Sequence, residues 1–217
     1  EILSGLVGSE MCIRDSAAPM LPVDLFRRPL FTLSALTAVC TFATQSLAFV
    51  SLPFYFESVL GRSAIETGFL ITPWAVLVGI MAPIAGRLSD HYPPGLLGGI
   101  GLSVLSAGMV SLILMSPDVS VFGICWRMAV CGIGFGFFQA PNLRAIMSSA
   151  PPERGGSASG VVATSRLLGQ ASGAALVAFC FIISTQHGET LALGLGAVFA
   201  AIASIASFMR LFVQQTK

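Results

Sequence analysis

The chain has 217 residues, 55% of them hydrophobic and only 10% charged, with a formal net charge of +1. A soluble domain carries about a quarter charged residues, so this balance points to lipid as the solvent. Near-neutral charge without a basic patch argues against a nucleic-acid partner, and the charges present fall in short clusters between long uncharged runs.

Residues 1–16 stand apart from the rest of the chain. The run from Leu6 through Gly8, Met11 and Cys12 to Asp15 resembles an in-frame translation of a sequencing-library adapter. It has no apolar core long enough for a signal peptide and no helical period, so 1–16 is expected to be non-native. A genuine cytoplasmic linker is the alternative. Residues 17–30 are then expected to be a linker leading into the bundle.

A helix that crosses about 30 Å of hydrocarbon needs about 20 apolar residues. The first uncharged stretch lies between Arg28 and Glu57, giving a span at about 31–56. The second follows Glu66 and ends before Arg87, at about 67–86. The third runs at about 95–115, before Ser116-Pro117-Asp118. The fourth, about 120–143, holds one charge, Arg127. The fifth, about 158–183, also holds one, Arg166, and the sixth lies at about 190–209, before Arg210. Six spans fill a bundle at 31–211 and leave 212–217 as a cytoplasmic tail. Buried helices of a soluble protein show one polar stripe; these runs are apolar all round, joined by loops of a few residues. The fold class expected is an all-α membrane protein with six transmembrane helices.

Loop charge sets the expected orientation. Arg27, Arg28, Arg87, Arg144, Arg154, Arg210 and Lys217 fall on one side, and Arg62 alone among arginines and lysines on the other. The positive-inside rule then makes both termini cytoplasmic, in keeping with an even number of spans. Pro53, Pro73 and Pro83 lie inside spans, where a missing backbone donor favours a kink. Gly156-x-x-x-Gly160 and Gly169-x-x-x-Gly173 flank Arg166, and small residues at this spacing let helices approach closely, so helix packing is the role expected of all five. Cys40, Cys125, Cys131 and Cys180 sit in apolar runs without metal-ligand spacing, and read as small buried side chains; no metal site and no cofactor is expected.

Two loops carry more information than the spans. Gly86-Arg87-Leu88-Ser89-Asp90-His91-Tyr92 joins the second span to the third, and Pro151-Pro152-Glu153-Arg154-Gly155-Gly156 leads into the fifth. With Arg127 and the Gly132-x-Gly134-x-Gly136 that follows it, these segments resemble the major facilitator superfamily. The likeness is greatest to the C-terminal six helices of fourteen-helix multidrug–proton antiporters, and it covers residues 17–217. It implies half of a major-facilitator fold, a 3+3 inverted repeat, with the N-terminal half of the transporter missing. It also implies a multi-pass protein of the inner membrane, with the lipid bilayer, that other half and a small-molecule substrate as partners. In the family a Gly-x-Leu-x-Asp loop recurs in each half, and its acid and arginine latch the cytoplasmic gate. By position, Gly86 permits the tight turn, Asp90 is the latch acid and Arg87 belongs to the same gate loop. His91 and Pro93-Pro94-Gly95 replace the family's basic residues, which implies a weaker latch; a solvated loop with a stop charge is the bland alternative.

The resemblance further implies that the first and fourth helices of each half line a central cavity. Thr41, Gln45 and Phe49 on the first span, and Arg127, Phe138, Gln139 and Asn142 on the fourth, are the cavity candidates, with Trp74 contributing from the second. Apolar and aromatic walls with a few amides suit lipophilic cargo. Arg127 and Arg166 could instead snorkel to the nearer interface. No carboxylate falls in the middle of a span, so a proton carrier is expected in the other half, with the proton gradient as the coupling ion. The function expected is a fragment of a proton-coupled exporter of lipophilic or cationic drugs. A carrier of another small solute, a channel or another membrane protein are the alternatives. An enzyme is not expected, because His91 and His187 lie on opposite sides of the membrane without catalytic partners.

Overall fold

The computed structural model of the protein describes residues 25–116, 118–151, 154–184 and 187–215, with side chains described as far as 211. The expected adapter segment 1–16, most of the expected linker and the tail at 212–217 therefore lie outside the described side chains, as do Asp24, Glu153 and Lys217.

A short 3-10 turn, Leu25–Arg27, precedes six long helices. These are α1 (Pro29–Phe54), α2 (Ala64–Leu88), α3 (Pro94–Ile113), α4 (Val121–Ser149), α5 (Gly155–Ile183) and α6 (Gly188–Gln215). All six are long and apolar enough to cross a membrane, and no strand occurs among the described residues. The protein is a multi-pass membrane protein. Helix starts follow local chemistry. Pro29 and Pro94 occupy first-turn positions where no backbone donor is needed. Ser63 and Glu66 form a reciprocal capping box at the head of α2, and the Ser120 hydroxyl accepts from the Gly123 amide at the head of α4. Past Pro53, α1 widens into a π turn over Tyr55–Val59, and Gly61, at φ +62°, makes the sharp reversal into α2.

Several helices run further than hydropathy alone places them. α4 continues to Ser149 and carries Arg144 inside its last turns, and α5 begins at Gly155. α6 continues past Arg210, which was counted as a loop charge after the last span; its side chain is fully buried.

The packing partners reveal an internal repeat. α1 packs on α5 and α6, α4 packs on α2 and α3, α3 packs on α6, and α1 touches α4. Exchanging α1 with α4, α2 with α5 and α3 with α6 leaves these principal contacts unchanged, as two three-helix units related by a pseudo-two-fold axis require. α3 and α6 form the closed back. Ser103 and Ser204 share a hydrogen bond of 2.8 Å, and Ser204 and Ser207 donate to the carbonyls of Gly99 and Gly95. A Cβ on Gly99 would meet the Phe208 ring at 2.6 Å, so small residues set this approach.

α2 and α5 are the open members. Only 17% of the apolar stretch of α2 and 22% of that of α5 are buried, against 44–61% in the other four. α2 packs mainly on α4, and α5 mainly on α1 with smaller contacts to α6 and α4. What remains of both faces outward.

Candidate functional site

The face bounded by α2 and α5, with α1 and α4 between them, holds some of the residues that sequence reasoning singled out. Beneath it runs a row of aromatic rings, with Phe42, Phe135 and Trp74 buried in the core and Phe49 half-buried. Phe42 of α1 meets Phe135 of α4 nearly edge-on at 5.7 Å, Phe135 lies 6.4 Å from Trp74 of α2, and Trp74 meets Phe49 of α1 edge-on at 5.2 Å. These are favourable ring separations. Trp74 is buried, and its indole N–H finds no acceptor among the described residues. Phe42 and Phe135 were not singled out from sequence. The seven-residue spacing of Phe42 and Phe49, which puts both on one helical face, was a usable signal for the first.

The eight cavity candidates separate once their partners are known. Gln45, Phe49 and Gln139 are half-buried. Thr41 is buried and donates to the Thr37 carbonyl of its own helix at 2.7 Å. Phe138 is buried on the α3 side of α4, where a Cβ on Gly98 would come within 3.6 Å of its ring. Arg127 is engaged by backbone. It donates to the Ser111 carbonyl at 2.9 Å and to the Gly123 carbonyl at 2.6 Å, with its guanidinium over the Trp126 ring. Ser111 belongs to the last turn of α3, whose carbonyls lack helical partners, so Arg127 caps that helix.

Asn142 belongs to a different structure, a buried polar knot at the Asp90 end of the bundle. Arg210 donates to Asn142 Oδ1 at 2.7 Å, to Ser34 Oγ at 3.0 Å and to Ser207 Oγ at 2.7 Å. Asn142 in turn donates to the Ser34 carbonyl at 3.3 Å. One guanidinium thereby ties α1, α4 and α6 together, and Ser207 extends the link to Gly95 of α3. The apolar Leu211-Phe212-Val213 beyond Arg210 was the sequence signal that the helix continues and draws this charge inside.

Around Asp90 the gate loop differs from the expectation carried over by position. Gly86 lies within α2, and a Cβ there would meet only the Ala140 side chain at 3.8 Å. The glycine is needed for neither a turn nor a close approach, and the chain turns after it, over Ser89–Tyr92, with no positive φ. Arg87 is exposed in the last turn of α2. Asp90 pairs with Arg144 of α4, which also donates to Ser89 Oγ at 3.1 Å. Nearby, Arg28 donates to the Ser149 carbonyl at 2.7 Å and joins the start of α1 to the end of α4.

The glycines of α5 separate in the same way. A Cβ on Gly169 or Gly173 would meet the Val39 or Ala43 carbonyl of α1 at 2.5 or 2.6 Å, so bare backbone is required along this line. Gly156 and Gly160, expected to pack, have nothing within 4 Å of a built Cβ. They line an open groove of about 730 Å³ between α1 and α5, with Thr32, Leu36 and Ser157 among its walls. Spacing was the same in both pairs; only the second meets a neighbouring helix. Arg166, between them, is exposed, with its guanidinium 5.6 Å from the centre of the Phe42 ring.

Comparison with known proteins agrees with this architecture. The family model described as Major Facilitator Superfamily matches residues 13–174. The chain is 50% identical over 193 residues to an uncharacterized transporter, YebQ, of Escherichia coli, an alignment covering 89% of this chain and 42% of that protein. It is 28% identical over 170 residues to the riboflavin transporter RibZ of Clostridioides difficile, covering 78% and 37%. It is 29% identical over 166 residues to the multidrug resistance protein Stp of Mycobacterium tuberculosis, covering 76% and 30%. The chain thus spans less than half the length of each of these relatives.

Proposed function

The chain belongs to the Major Facilitator Superfamily, and from that premise we propose that it forms one six-helix wall of a proton-coupled exporter of lipophilic small molecules that works by alternating access. The unequal burial of the helices carries this reading. A back of α3 and α6 is closed by serine and glycine contacts, while α2 and α5 leave their faces uncovered on either side of α1 and α4. A second six-helix wall facing this side would enclose a site between parallel repeats. Gln45, Phe49 and Gln139 are its cargo-facing side chains on this wall.

Relatives named for riboflavin and for multidrug resistance support cargo that varies in kind. Phe49, half-buried beside the two amides, supports cargo with apolar surface. A preference for cations is not favoured by this wall. Among the described residues Glu57, Glu66, Asp90, Asp118 and Glu189 all lie at helix ends or in loops, and no acid lies in the middle of a span. The proton carrier therefore belongs to the facing wall. Arginines concentrated at the Asp90 end make that end, with both termini, cytoplasmic in an inner membrane. There the Asp90–Arg144 pair holds the α2–α3 turn against α4, as a latch that opens and closes with the gate.

Flux measured in liposomes containing the full-length transporter tests the proposal. Saturable movement of a lipophilic dye that speeds up with an imposed pH gradient is expected. Saturable flux indifferent to pH would leave a carrier of another type, and ohmic conductance would make the protein a channel.

A further inference from the structure

Most buried hydroxyls of this bundle are answered. Thr37, Thr41, Ser51 and Ser149 donate to carbonyls one turn back in their own helices, and Ser204 and Ser207 reach across to α3. Among the described residues, only Thr67 and Ser165 are buried hydroxyls that bond to nothing. Ser165, at 5% exposure, is the one that lines the groove between α1 and α5. Ser157 and Thr164 line the same groove, and neither has a hydrogen bond among the described residues. A hydroxyl without an acceptor is costly at membrane depth. The groove is therefore built to be filled by something that carries oxygen acceptors.

Its shape narrows what that is. Gly156, Gly160, Thr164 and Leu168 recur at every fourth position of the α5 wall, over about 18 Å at about 1.5 Å per residue. Leu36 and Val39 stand on the α1 wall. This is a trough that follows a helix rather than a compact bowl, and no charged side chain lines it. A phosphate headgroup or a charged cargo finds no counter-charge there. Small residues with hydroxyls are also the means by which α3 and α6 close on each other, Ser204 and Ser207 donating to the carbonyls of Gly99 and Gly95. Helices associate in lipid through this combination. The trough carries the same combination with no helix on it. The alignment with YebQ covers 42% of that protein, so more than half of its length lies outside the part that this chain resembles.

We propose that a transmembrane helix of the transporter's other half docks lengthwise in the groove between α1 and α5. Its side chains enter above Gly156 and Gly160, where a built Cβ meets nothing within 4 Å. Its oxygens accept from Ser157, Thr164 and Ser165. At about 100° per residue, Arg166 and Leu168 fall on opposite flanks of the line that Gly169 and Gly173 make on α1. The docked helix thus lies beside the cargo face without filling it. This contact presupposes the reading of the chain as one wall of a two-walled transporter, and the test keeps the two apart.

The test places a benzophenone amino acid at Leu168 of the full-length transporter in liposomes, and in a second protein at Ile205, exposed on α6. Illumination should join position 168 to a residue within a span of the other half, identified by peptide mass spectrometry, whereas position 205 should give lipid adducts alone. Gly160→Trp should fill the trough and abolish the protein adduct at 168. Adducts at 168 to lipid alone, to residues 17–24 before α1, or to a second copy of the transporter would overturn the proposal. So would equal protein adducts at 168 and 205, or an undiminished adduct in a Gly160→Trp protein that melts at the wild-type temperature. If Gly160→Trp does not fold, the comparison of 168 with 205 decides alone. Dye flux through the unmodified transporter is measured beside it. Saturable flux without a helix adduct keeps the transporter and removes the docked helix; a helix adduct without saturable flux does the reverse.

Discussion

Arg210 and Arg166 sit within spans of the same half, yet one makes three hydrogen bonds inside the protein and the other makes none among the described residues. Arg210 joins α1, α4 and α6 through Ser34, Asn142 and Ser207 and has no exposed surface. Arg166 lies exposed on α5 over a single ring. The fate of their hydrogen bonds distinguishes them. The same contrast holds for the helices around them. α3 and α6 close on each other through serine hydroxyls and glycine backbone, whereas α2 and α5 leave most of their apolar length uncovered. The first region has the character of a scaffold, the second of a surface awaiting a partner.

The largest predicted effect lies in the knot. Asn142→Leu leaves a buried guanidinium without its shortest partner from α4, and should cost about 2–3 kcal/mol, read as a lower melting temperature in detergent. Adding Arg210→Met removes the stranded charge and should recover at least half of that loss. On the open face, Arg166→Met should change stability by about 0.5 kcal/mol or less, as surface substitutions do. If it costs as much as Asn142→Leu, the two regions are not different in kind.

The glycines of α5 sharpen the contrast within one helix. Gly169→Ala pushes a methyl into the Val39 carbonyl and should destabilise by about 1–3 kcal/mol. Gly160→Ala meets nothing and should stabilise by up to about 1 kcal/mol through helix propensity. Melting temperatures of the two variants should move in opposite directions. The smallest effect is expected at Asp90. Its pairing with Arg144 is half-exposed, so Asp90→Asn should cost about 0.2–1 kcal/mol at low salt and less as salt is raised.

The six spans were legible in the sequence because bilayer thickness imposes their length and lipid their composition. Their ends were less so. Arg144 and Arg210 look like stop charges when only neighbours in sequence are considered. Each is held in its helix by partners far along the chain, Asp90 for one and Ser34 with Asn142 for the other. Gly156-x-x-x-Gly160 and Gly169-x-x-x-Gly173 show the same limit. The spacing licenses a close approach, but only the fold decides which pair receives a neighbour. For the site, the polar candidates on the first and fourth spans were visible, whereas the row through Phe42 and Phe135 was not. That row depends on the crossing of α1, α4 and α2, which no single helix pattern encodes.

The central claim is that the face around Arg166 meets water and cargo, while the back of the bundle meets lipid. Single cysteines test it in the full-length transporter after its own cysteines, Cys40, Cys125, Cys131 and Cys180 among them, are replaced by serine or alanine. One cysteine is placed at Arg166, the other at Ile205, an exposed position on α6. A thiol reacts as its thiolate, which forms in contact with water and is suppressed in hydrocarbon. Arg166→Cys should therefore react with a charged, membrane-impermeant methanethiosulfonate about tenfold or more faster than Ile205→Cys. Equal rates, or faster labelling at position 205, would contradict the account.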